Sequence, residues 1–395
     1  MAGNPLAYLS EQIEAWKQAG AYQRLRELQT ACAPVCRFDG REVINLASNN
    51  YLGLTDHPRL KEAALEATRR YGVGSGAVRT IAGTMSLHLE LERRIARFKN
   101  VEACVVFQSG FAANAGTVAA ILGPEDHIIS DELNHASIID GCRLSKAKIH
   151  VFPHKDVAAA DRVLAELASA SGRKLLISDG VFSMDGDIAP LAALVEVAER
   201  HGAIMMVDDA HASGVLGRAG RGTIDHFGLD GRVDIQVGTL SKAIGALGGY
   251  VCGRRDLIEF LYHRARPFLF STSHPPSVAA TCLAAFDLLE QEPERIENLW
   301  KNTEYFKGNL KSAGFDTGLS ETPITPIMVG EAKLAHQFSR ELFEEGVFAT
   351  GIGYPTVPQS KARIRTIVTA THSRAELDRA VEVLTLVAKR IGILS

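Results

Sequence analysis

The sequence predicts an α/β fold in which a mostly parallel central sheet is flanked by helices. From about residue 58 to residue 264, short apolar runs alternate with stretches of helical periodicity, the pattern of βαβ units. The runs carry few polar residues, as expected for parallel strands buried on both faces. After residue 290 short strands and helices alternate less regularly. We therefore predict an N-terminal segment (1–50), a large domain (51–290) and a smaller α+β domain (291–395).

The N-terminal segment is predicted to begin with an amphipathic helix over residues 4–30. Its apolar residues at helical spacing are Leu6, Leu9, Ile13, Trp16 and Leu25. The stretch CRFDGREVINLAS after Pro34 contains the Asp-Gly turn signal of a β-hairpin.

The large domain is predicted from alternating strands and helices. Its strands are ACVVF (103–107), HIIS (127–130), KIHVF (148–152), KLLISD (174–179), AIMMVDD (203–209), DIQVG (234–238) and GGYVCG (248–253). Its helices are 58–71, 86–98, 109–122, 134–146, 156–170, 190–202 and 254–264. Towards the C-terminus we predict helices at 276–291, 294–313, 332–346 and 373–391, with strands at ITPIMVG, GVFAT and ARIRTIV.

The composition excludes several classes of protein. A net charge of −3, with Lys and Arg dispersed along the chain, argues against a nucleic-acid-binding surface. No apolar run approaches the roughly 18 residues of a membrane span, and the N-terminus lacks the basic-then-apolar order of a signal peptide. The six cysteines are scattered, and the pair Cys32 and Cys36 has no second pair at zinc spacing. We therefore expect reduced thiols, a cytoplasmic protein and no metal site.

Polar residues follow the ends of five predicted strands. In parallel α/β sheets, ligands bind beyond these carboxyl ends, where the loops converge. The residues concerned are Gln108 and Ser109; Asp131, Glu132, Asn134 and His135; Ser183 and Asp185; Asp208, Asp209 and His211; and Thr239, Ser241 and Lys242. One shared site is the simplest interpretation.

Three of these positions indicate a particular chemistry. Ser109-Gly110 joins a strand to a helix, where backbone N–H groups suit a phosphate, although many α/β loops carry such a pair. Asp208 ends an apolar strand, so its partner is either a structural donor or the protonated ring nitrogen of a cofactor. Lys242 stands among small residues, where a lysine loses solvation and can act as a Schiff-base nucleophile. Together with His135 and His211, they indicate pyridoxal phosphate (PLP).

Two other classes of function fit less well. A dehydrogenase of the Rossmann type would need G-x-G-x-x-G after the first strand, where this chain has SGFAAN. A cofactor-binding protein that has lost catalysis would lack the lysine, but Lys242 is present.

With these residues in place, the chain resembles the α-oxoamine synthase family, PLP-dependent acyltransferases of fold type I. The resemblance runs from NLASNNYLGL (45–54) to ARIRTIVTATH (362–372). Its motifs in between are SGAVRTIAGT, SDELNHASIIDG, DGVFSMDGDIAPL, VDDAHASGVLG, GTLSKA and RPFLFSTSHPP. It implies a homodimer with the active site at the subunit interface.

The resemblance also implies roles for matching residues. Lys242 would hold the PLP aldehyde as an aldimine and act as general base at the substrate Cα. Asp208 would pair with the pyridine N–H, and His135 would stack on the ring. The other implied cofactor contacts are Ser109, Gly110, Phe111 and Thr239 at the phosphate, Ser183 and His211 near the ring oxygen, and Ser271 and Thr272 from the second subunit.

Three further residues are implied to bind substrate. Arg365 would clamp the amino-acid carboxylate with Asn49 as a second contact, but Arg363 lies on the same strand face, so spacing alone does not choose between the arginines. Val78 stands where 5-aminolevulinate synthases have a threonine that contacts the succinyl carboxylate. Valine offers no hydrogen bond, which disfavours succinyl-CoA.

The implied reaction is a Claisen-type condensation of a small amino acid with an acyl-CoA. We favour the glycine C-acetyltransferase branch, which joins glycine and acetyl-CoA to give 2-amino-3-ketobutyrate and CoA, because KARIRT follows YPTVP (354–358). SGAVRTIAGT is shared with the 8-amino-7-oxononanoate synthases, which use L-alanine and a pimeloyl thioester. That branch, or both activities together, is the alternative.

Overall fold

The computed structural model describes residues 4–18, 22, 24–354 and 356–394. Its strands are β1 Val35–Phe38, β2 Arg41–Asn45, β3 Ala103–Phe107, β4 His127–Asp131, β5 Lys148–Phe152, β6 Lys174–Asp179, β7 Ile204–Asp208, β8 Ile235–Thr239, β9 Gly249–Gly253, β10 Ile324–Gly330, β11 Val347–Phe348, β12 Thr350–Ile352 and β13 Ala362–Ile367. Its α-helices are α1 Ala7–Gln18, α2 Pro58–Tyr71, α3 Ser86–Phe98, α4 Gly110–Ile121, α5 Ala136–Ser145, α6 Val157–Glu166, α7 Leu191–Arg200, α8 Thr223–His226, α9 Arg255–Arg264, α10 Arg266–Leu269, α11 Pro276–Gln291, α12 Glu294–Ser312, α13 Ala332–Glu344 and α14 Arg374–Arg390.

The described residues form two compact units. The first comprises Met1–Ser48, Met184–Gly186 and Trp300–Ser395, and the second comprises Asn49–Ser183 and Asp187–Leu299. These bounds differ from our segments 1–50, 51–290 and 291–395. The reason is a parallel pairing of β2 with β11, in which Ile44 lies opposite Val347. The N-terminal segment therefore shares a unit with the C-terminal region.

The second unit is built on a seven-stranded sheet of order β3-β9-β8-β7-β6-β4-β5. Strands β4 to β8 pair in parallel, whereas β9 runs antiparallel to both β3 and β8. The predicted α/β fold with a mostly parallel central sheet flanked by helices is confirmed. Because the parallel strands point the same way, their carboxyl ends and the loops that follow lie at one edge of the sheet.

Both faces of this sheet are covered by apolar side chains. Ile128, Ile177 and Met206 pack on one face with residues of α4, α5 and α9. The next residue of β4, Ile129, packs on the other face with Leu176 and residues of α6 and α7. Alternate strand positions thus face opposite layers, which explains why the strands read as continuous apolar runs.

The first unit contains two three-stranded sheets, β1-β2-β11 and β10-β13-β12. The stretch GVFAT, which we predict as one strand, is divided between them. Phe348 pairs with Asn45 of β2, whereas Thr350 pairs with Arg365 of β13. Ala349, which is fully buried, separates the two strands.

The helix predicted over residues 4–30 is present as α1 over Ala7–Gln18 and is wrong from residue 24 onward. Residues 19–21 and 23 lie outside the described residues. From residue 24 the chain is not helical but runs beside β1, with a bridge between Leu28 and Phe38. Gln29 N donates to Arg37 O over 2.8 Å. Pairing with a strand edge overrides the helical spacing of the apolar residues in this part of the chain.

Candidate active site

A cavity of about 190 Å³ lies at the carboxyl ends of β6, β7 and β8. It is lined by Ser109, Gly110, Phe111, His135, Ser137, Asp179, Ser183, Asp208, Ala210, His211, Thr239, Ser241 and Lys242. The predicted cofactor residues in this lining lie at or just after the ends of five different strands. The fold brings them around this one cavity. Lys242 is half-buried there, in the loop after β8.

The start of α4 supplies backbone donors to this cavity. Ser109 caps the helix, because its Oγ accepts a hydrogen bond from Ala112 N and its carbonyl accepts one from Ala113 N, both over 3.0 Å. The N–H groups of Gly110 and Phe111 precede the first intrahelical bond, so the helix itself provides no acceptor for them. Gly249 of β9 allows this strand to approach the start of α4 closely, since a Cβ at Gly249 would lie 2.5 Å from Gly110 N.

Asp208 is the last residue of β7 and only 4% of its surface is exposed. Its Oδ2 accepts a hydrogen bond from Asn114 Nδ2 at 2.6 Å, and its Oδ1 accepts one from Ala210 N at 2.8 Å. Both donors are neutral, so they solvate the carboxylate without cancelling its charge. A cation inside the cavity would complete the pairing.

Asp179 is a lining residue that the sequence analysis does not identify. It pairs in register with Asp208, because β6 and β7 are parallel neighbours. Burial and then the negative charge of Asp208 raise the pKa of Asp179 well above its usual range. Its Oδ2 accepts a hydrogen bond from His135 N at 2.8 Å. The available signal was an acidic residue that closes the apolar run KLLISD, just as Asp208 closes a run in AIMMVDD.

His135 forms the N-cap of α5. Its Nδ1 lies 2.7 Å from Ser137 Oγ. Desolvation lowers the pKa of His135; the charge of Asp208 opposes this effect and that of Lys242 adds to it. This shift favours the neutral form of the ring.

His211 is oriented by a tyrosine from a distant part of the chain. Tyr51 Oη lies 2.7 Å from His211 Nδ1, and both side chains are buried. Tyr51 belongs to the motif NLASNNYLGL, but nothing in that motif shows that it reaches a residue 160 positions away.

Two hydroxyls lie beside each other after β8. Thr239 Oγ1 donates to Gly248 O over 2.9 Å and lies 2.8 Å from Ser241 Oγ. Ser241, which we did not predict as a cofactor residue, also lines the cavity.

The residues expected from a second subunit lie outside this lining. Ser271 lines a separate cavity of about 780 Å³. The backbone of Thr272 forms a bridge with Val78, and its carbonyl accepts a hydrogen bond from Gln108 Nε2 at 2.8 Å.

The candidate carboxylate-binding residues belong to different units. Asn49 lies at the start of the second unit, whereas Arg365 lies on β13 of the first. The structure distinguishes the two arginines that spacing could not separate. Arg363 is buried and its guanidinium contacts Asp185 Oδ1 at 2.5 Å and Met184 O at 3.1 Å. Arg363 therefore has a structural role, which leaves Arg365 as the candidate.

This chain is similar to known proteins over almost its whole length. The family described as aminotransferase class I and II matches residues 41–384. The chain belongs to this family. An 8-amino-7-oxononanoate synthase of Symbiobacterium thermophilum is 62% identical over 98% of this chain and 99% of that protein.

Solved structures agree with this membership. A serine palmitoyltransferase from S. paucimobilis with a bound PLP–myriocin aldimine superposes with a TM-score of 0.93 at 31% identity, covering 98% of both chains. An 8-amino-7-oxononanoate synthase from Francisella tularensis gives a TM-score of 0.73 at 28% identity, covering 88% of this chain and 98% of that one. The predicted resemblance to the α-oxoamine synthases and the PLP-dependent fold of type I are confirmed.

The cofactor of this aminotransferase-family enzyme is pyridoxal 5′-phosphate, and the described residues fit it. The first turn of α4 offers N–H donors for a phosphate. Asp208 offers a buried carboxylate with neutral donors, which suits a protonated ring nitrogen. Lys242 offers a primary amine for an aldehyde.

Membrane-spanning helices and metal-binding clusters can be assessed for the described residues. None of the helices there is both long and apolar enough to cross a membrane. Within the same residues, no group of three or more His, Cys, Asp or Glu side chains is arranged to hold a metal ion.

Proposed function

We propose that this chain catalyses the condensation of L-alanine with a pimeloyl thioester, the reaction of an 8-amino-7-oxononanoate synthase. The observation that carries the proposal is the identity to the Symbiobacterium thermophilum synthase over almost the whole chain. In this reaction a bond forms between the alanine Cα and the acyl carbon. The acyl C–S bond breaks to release a thiol, and the bond from Cα to the carboxylate breaks to release CO₂.

Our first preference, glycine with acetyl-CoA, is less well supported. It depended on KARIRT and YPTVP, two stretches of a few residues each. The full-length comparison favours the alternative that we kept beside it.

The chemistry depends on the electron-withdrawing ring of PLP, which stabilises negative charge at the amino-acid Cα when it is bound. Asp208 would keep the ring nitrogen protonated, with Asn114 and Ala210 holding the carboxylate. His135 would lie against the ring as a neutral imidazole. Lys242 would bind the aldehyde carbon and, once the substrate amine displaces it, remove the proton from Cα.

The remaining cavity residues would hold the cofactor in place. Gly110 and Phe111 would donate backbone N–H groups to the phosphate beside Ser109. The Thr239 hydroxyl would also contact the phosphate. Ser183 and His211 would contact the ring oxygen, with Tyr51 fixing the orientation of His211.

Substrate recognition would use residues outside the cavity lining. Arg365 would bind the amino-acid carboxylate as a bidentate partner, supported by Asn49. Val78 would disfavour a short dicarboxylic acyl group whose carboxylate reaches that position.

We also propose a cytoplasmic homodimer. Ser271 and Thr272 lie outside the cavity of their own chain, so a second copy would place them at its phosphate site. None of the six cysteines, all of which lie within the described residues, forms a disulfide, in support of a reducing compartment.

The proposal is tested by measuring thiol release for L-alanine or glycine with pimeloyl-CoA or acetyl-CoA. We expect kcat/KM for alanine with pimeloyl-CoA to exceed that of the other three pairs by about tenfold or more. The product should have the mass expected after loss of CO₂. The Lys242→Ala protein, as control, should release no thiol. A preference for glycine with acetyl-CoA would overturn the assignment.

A further inference from the structure

We propose that His154 is a positioning residue of the cofactor site. It joins the loop that carries His135 to the loop that carries Ser183. The inference rests on the cofactor site of the proposed function, but it does not depend on which amino acid or thioester is used.

Both ring nitrogens of His154 contact a carboxylate. Nδ1 lies 3.0 Å from Asp131 Oδ1, and Nε2 lies 2.9 Å from Asp187 Oδ2. Ionised carboxylates only accept hydrogen bonds, so both nitrogens donate and the ring is an imidazolium. Burial lowers the pKa of His154, but the two carboxylates outweigh it and raise that pKa from 6.5 to about 9.

Asp131 sets the start of the loop that leads to His135. It is the last residue of β4, and its Oδ1 also accepts a hydrogen bond from Leu133 N at 2.9 Å. Asn134, which follows Leu133 directly, accepts a hydrogen bond from Asp179 N at 2.8 Å. His135 then donates its N–H to Asp179. A shift of Asp131 would therefore move the beginning of α5 together with the His135 ring.

Asp187 closes the loop that contains Ser183. Its carbonyl accepts a hydrogen bond from Phe182 N at 3.1 Å, and Ala189 N donates to Gly180 O over 3.0 Å. The ring of Phe182, the neighbour of Ser183, lies edge-on to the His154 ring with centroids 4.3 Å apart. His154 thus contacts this loop through a hydrogen bond and through a ring.

Lys155 contacts the same two carboxylates, but through two different groups. Lys155 Nζ lies 3.0 Å from Asp187 Oδ2, and its backbone N–H donates to Asp131 Oδ2 at 2.9 Å. Glu132 Oε1 accepts a hydrogen bond from His154 N at 2.9 Å. Among the described contacts, only the His154 side chain bonds to both carboxylates. The side chains of Asp131 and Asp187 are 1% and 4% exposed. Without the His154 imidazolium, Asp187 would keep Lys155 as a cation, whereas the other described donors to Asp131 are neutral backbone N–H groups, so the cost would fall mainly on Asp131.

The test compares His154→Gln with His201→Gln in the apoprotein. His201 Nε2 also contacts a carboxylate, Asp161 Oδ1 at 2.7 Å, and its side chain is 16% exposed against 21% for His154. His201 does not line the cavity, so the pair controls for loss of a half-buried His–Asp contact. PLP affinity is measured by fluorescence titration without substrate, and thermal unfolding of each apoprotein is recorded in parallel.

We expect the PLP dissociation constant of His154→Gln to rise about 10- to 100-fold, as for other residues that orient a binding group. For His201→Gln it should stay within about twofold of the wild-type value. If His154→Gln does not fold, Asp187→Asn replaces it, since this variant retains the bond between His154 and Asp131. A smaller loss of PLP affinity is then expected.

Wild-type PLP affinity in a folded His154→Gln protein, or in Asp187→Asn where that variant replaces it, would overturn the inference. Equal losses in the His154 and His201 variants would also overturn it, because they would indicate a general effect on stability. A wild-type protein that binds no PLP would instead overturn the proposed function.

Discussion

Two consecutive aspartates in the motif VDDAH have different partners in the structure. Asp208 faces the cavity and receives hydrogen bonds from neutral donors. Asp209 contacts Lys99 Nζ at 2.8 Å, and both of these side chains are buried, at 0% and 1% exposure. Successive residues at the end of a strand point to opposite faces. The chain therefore supplies a buried lysine for Asp209, whereas the described donors to Asp208 are neutral.

The Lys99–Asp209 pair is expected to be important for stability. Lys99→Met would leave Asp209 buried without its cation, which costs about 3–5 kcal/mol of unfolding free energy. Lys61→Met is the matched control, because Lys61 forms an exposed pair with Asp56 at 2.5 Å. An exposed pair contributes less than about 1 kcal/mol. Urea denaturation of both variants gives the two values, and equal losses would show that burial does not determine the cost.

At the residue scale, the sequence predicted which residues share one cavity where residue type and position at a strand end coincide. Lys242, Asp208 and His135 each follow an apolar strand, so the rule for parallel sheets placed them at one edge. Asp179 and Tyr51 were missed. Asp179 lies at the cavity because its strand pairs in register with that of Asp208, and Tyr51 is connected to the cavity through a contact with the distant His211. Neither residue has a local signal that separates it from an ordinary strand or loop position.

At the element scale, the strands and helices with strong apolar periodicity were predicted to within a few residues. Strand β3 is Ala103–Phe107 and helix α11 is Pro276–Gln291, as predicted. The predictions fail where pairing with a strand distant in sequence determines the local structure. The extension of the N-terminal helix to residue 30 was lost to pairing beside β1, and GVFAT was divided between two sheets. Local propensity cannot show which strand edge a segment will join.

The junction of β9 with the start of α4 is an element-scale device that can be tested. A Cβ on Gly249 would lie 2.5 Å from Gly110 N, so Gly249→Ala should displace the turn whose N–H groups are proposed to bind the phosphate. We expect a loss of about 1–3 kcal/mol in stability. The PLP dissociation constant, measured by titration, should rise about tenfold, because small displacements of a binding group reduce affinity strongly.

Gly123→Ala is the control for this change, since a Cβ at Gly123 would meet no atom within 4 Å. Its stability and PLP affinity should remain close to those of the wild type, within about 0.5 kcal/mol. If Gly249→Ala binds PLP as tightly as Gly123→Ala, the close approach of β9 is not needed for the phosphate site.

At the scale of the whole molecule, the second unit exposes several large apolar side chains. Among them are Val73, Ile81, Phe111, Leu144 and Phe270. Clusters of exposed apolar side chains are typical of a surface that another protein covers, whereas single ones are common on any protein surface. Phe111 follows Gly110, a proposed donor to the phosphate, and Phe270 precedes Ser271, so two of them adjoin proposed cofactor contacts. This proximity supports a second copy of the chain as the partner.

Mixing two defective proteins distinguishes a shared site from a self-contained one. The Lys242→Ala protein lacks the reactive amine, and a Ser271→Ala/Thr272→Ala protein lacks the hydroxyls proposed to reach the other subunit. In a heterodimer of the two, one site would combine an intact Lys242 with intact hydroxyls from its partner. Random reassortment makes about half of the dimers mixed, each with one complete site of two, so activity should recover to about a quarter of the wild-type value. Differently tagged subunits verify that heterodimers form, and thiol release measures the recovery at a PLP concentration where each parent protein is inactive. If tagged heterodimers form without any recovery, Ser271 and Thr272 serve the site of their own chain and the shared-site proposal is wrong.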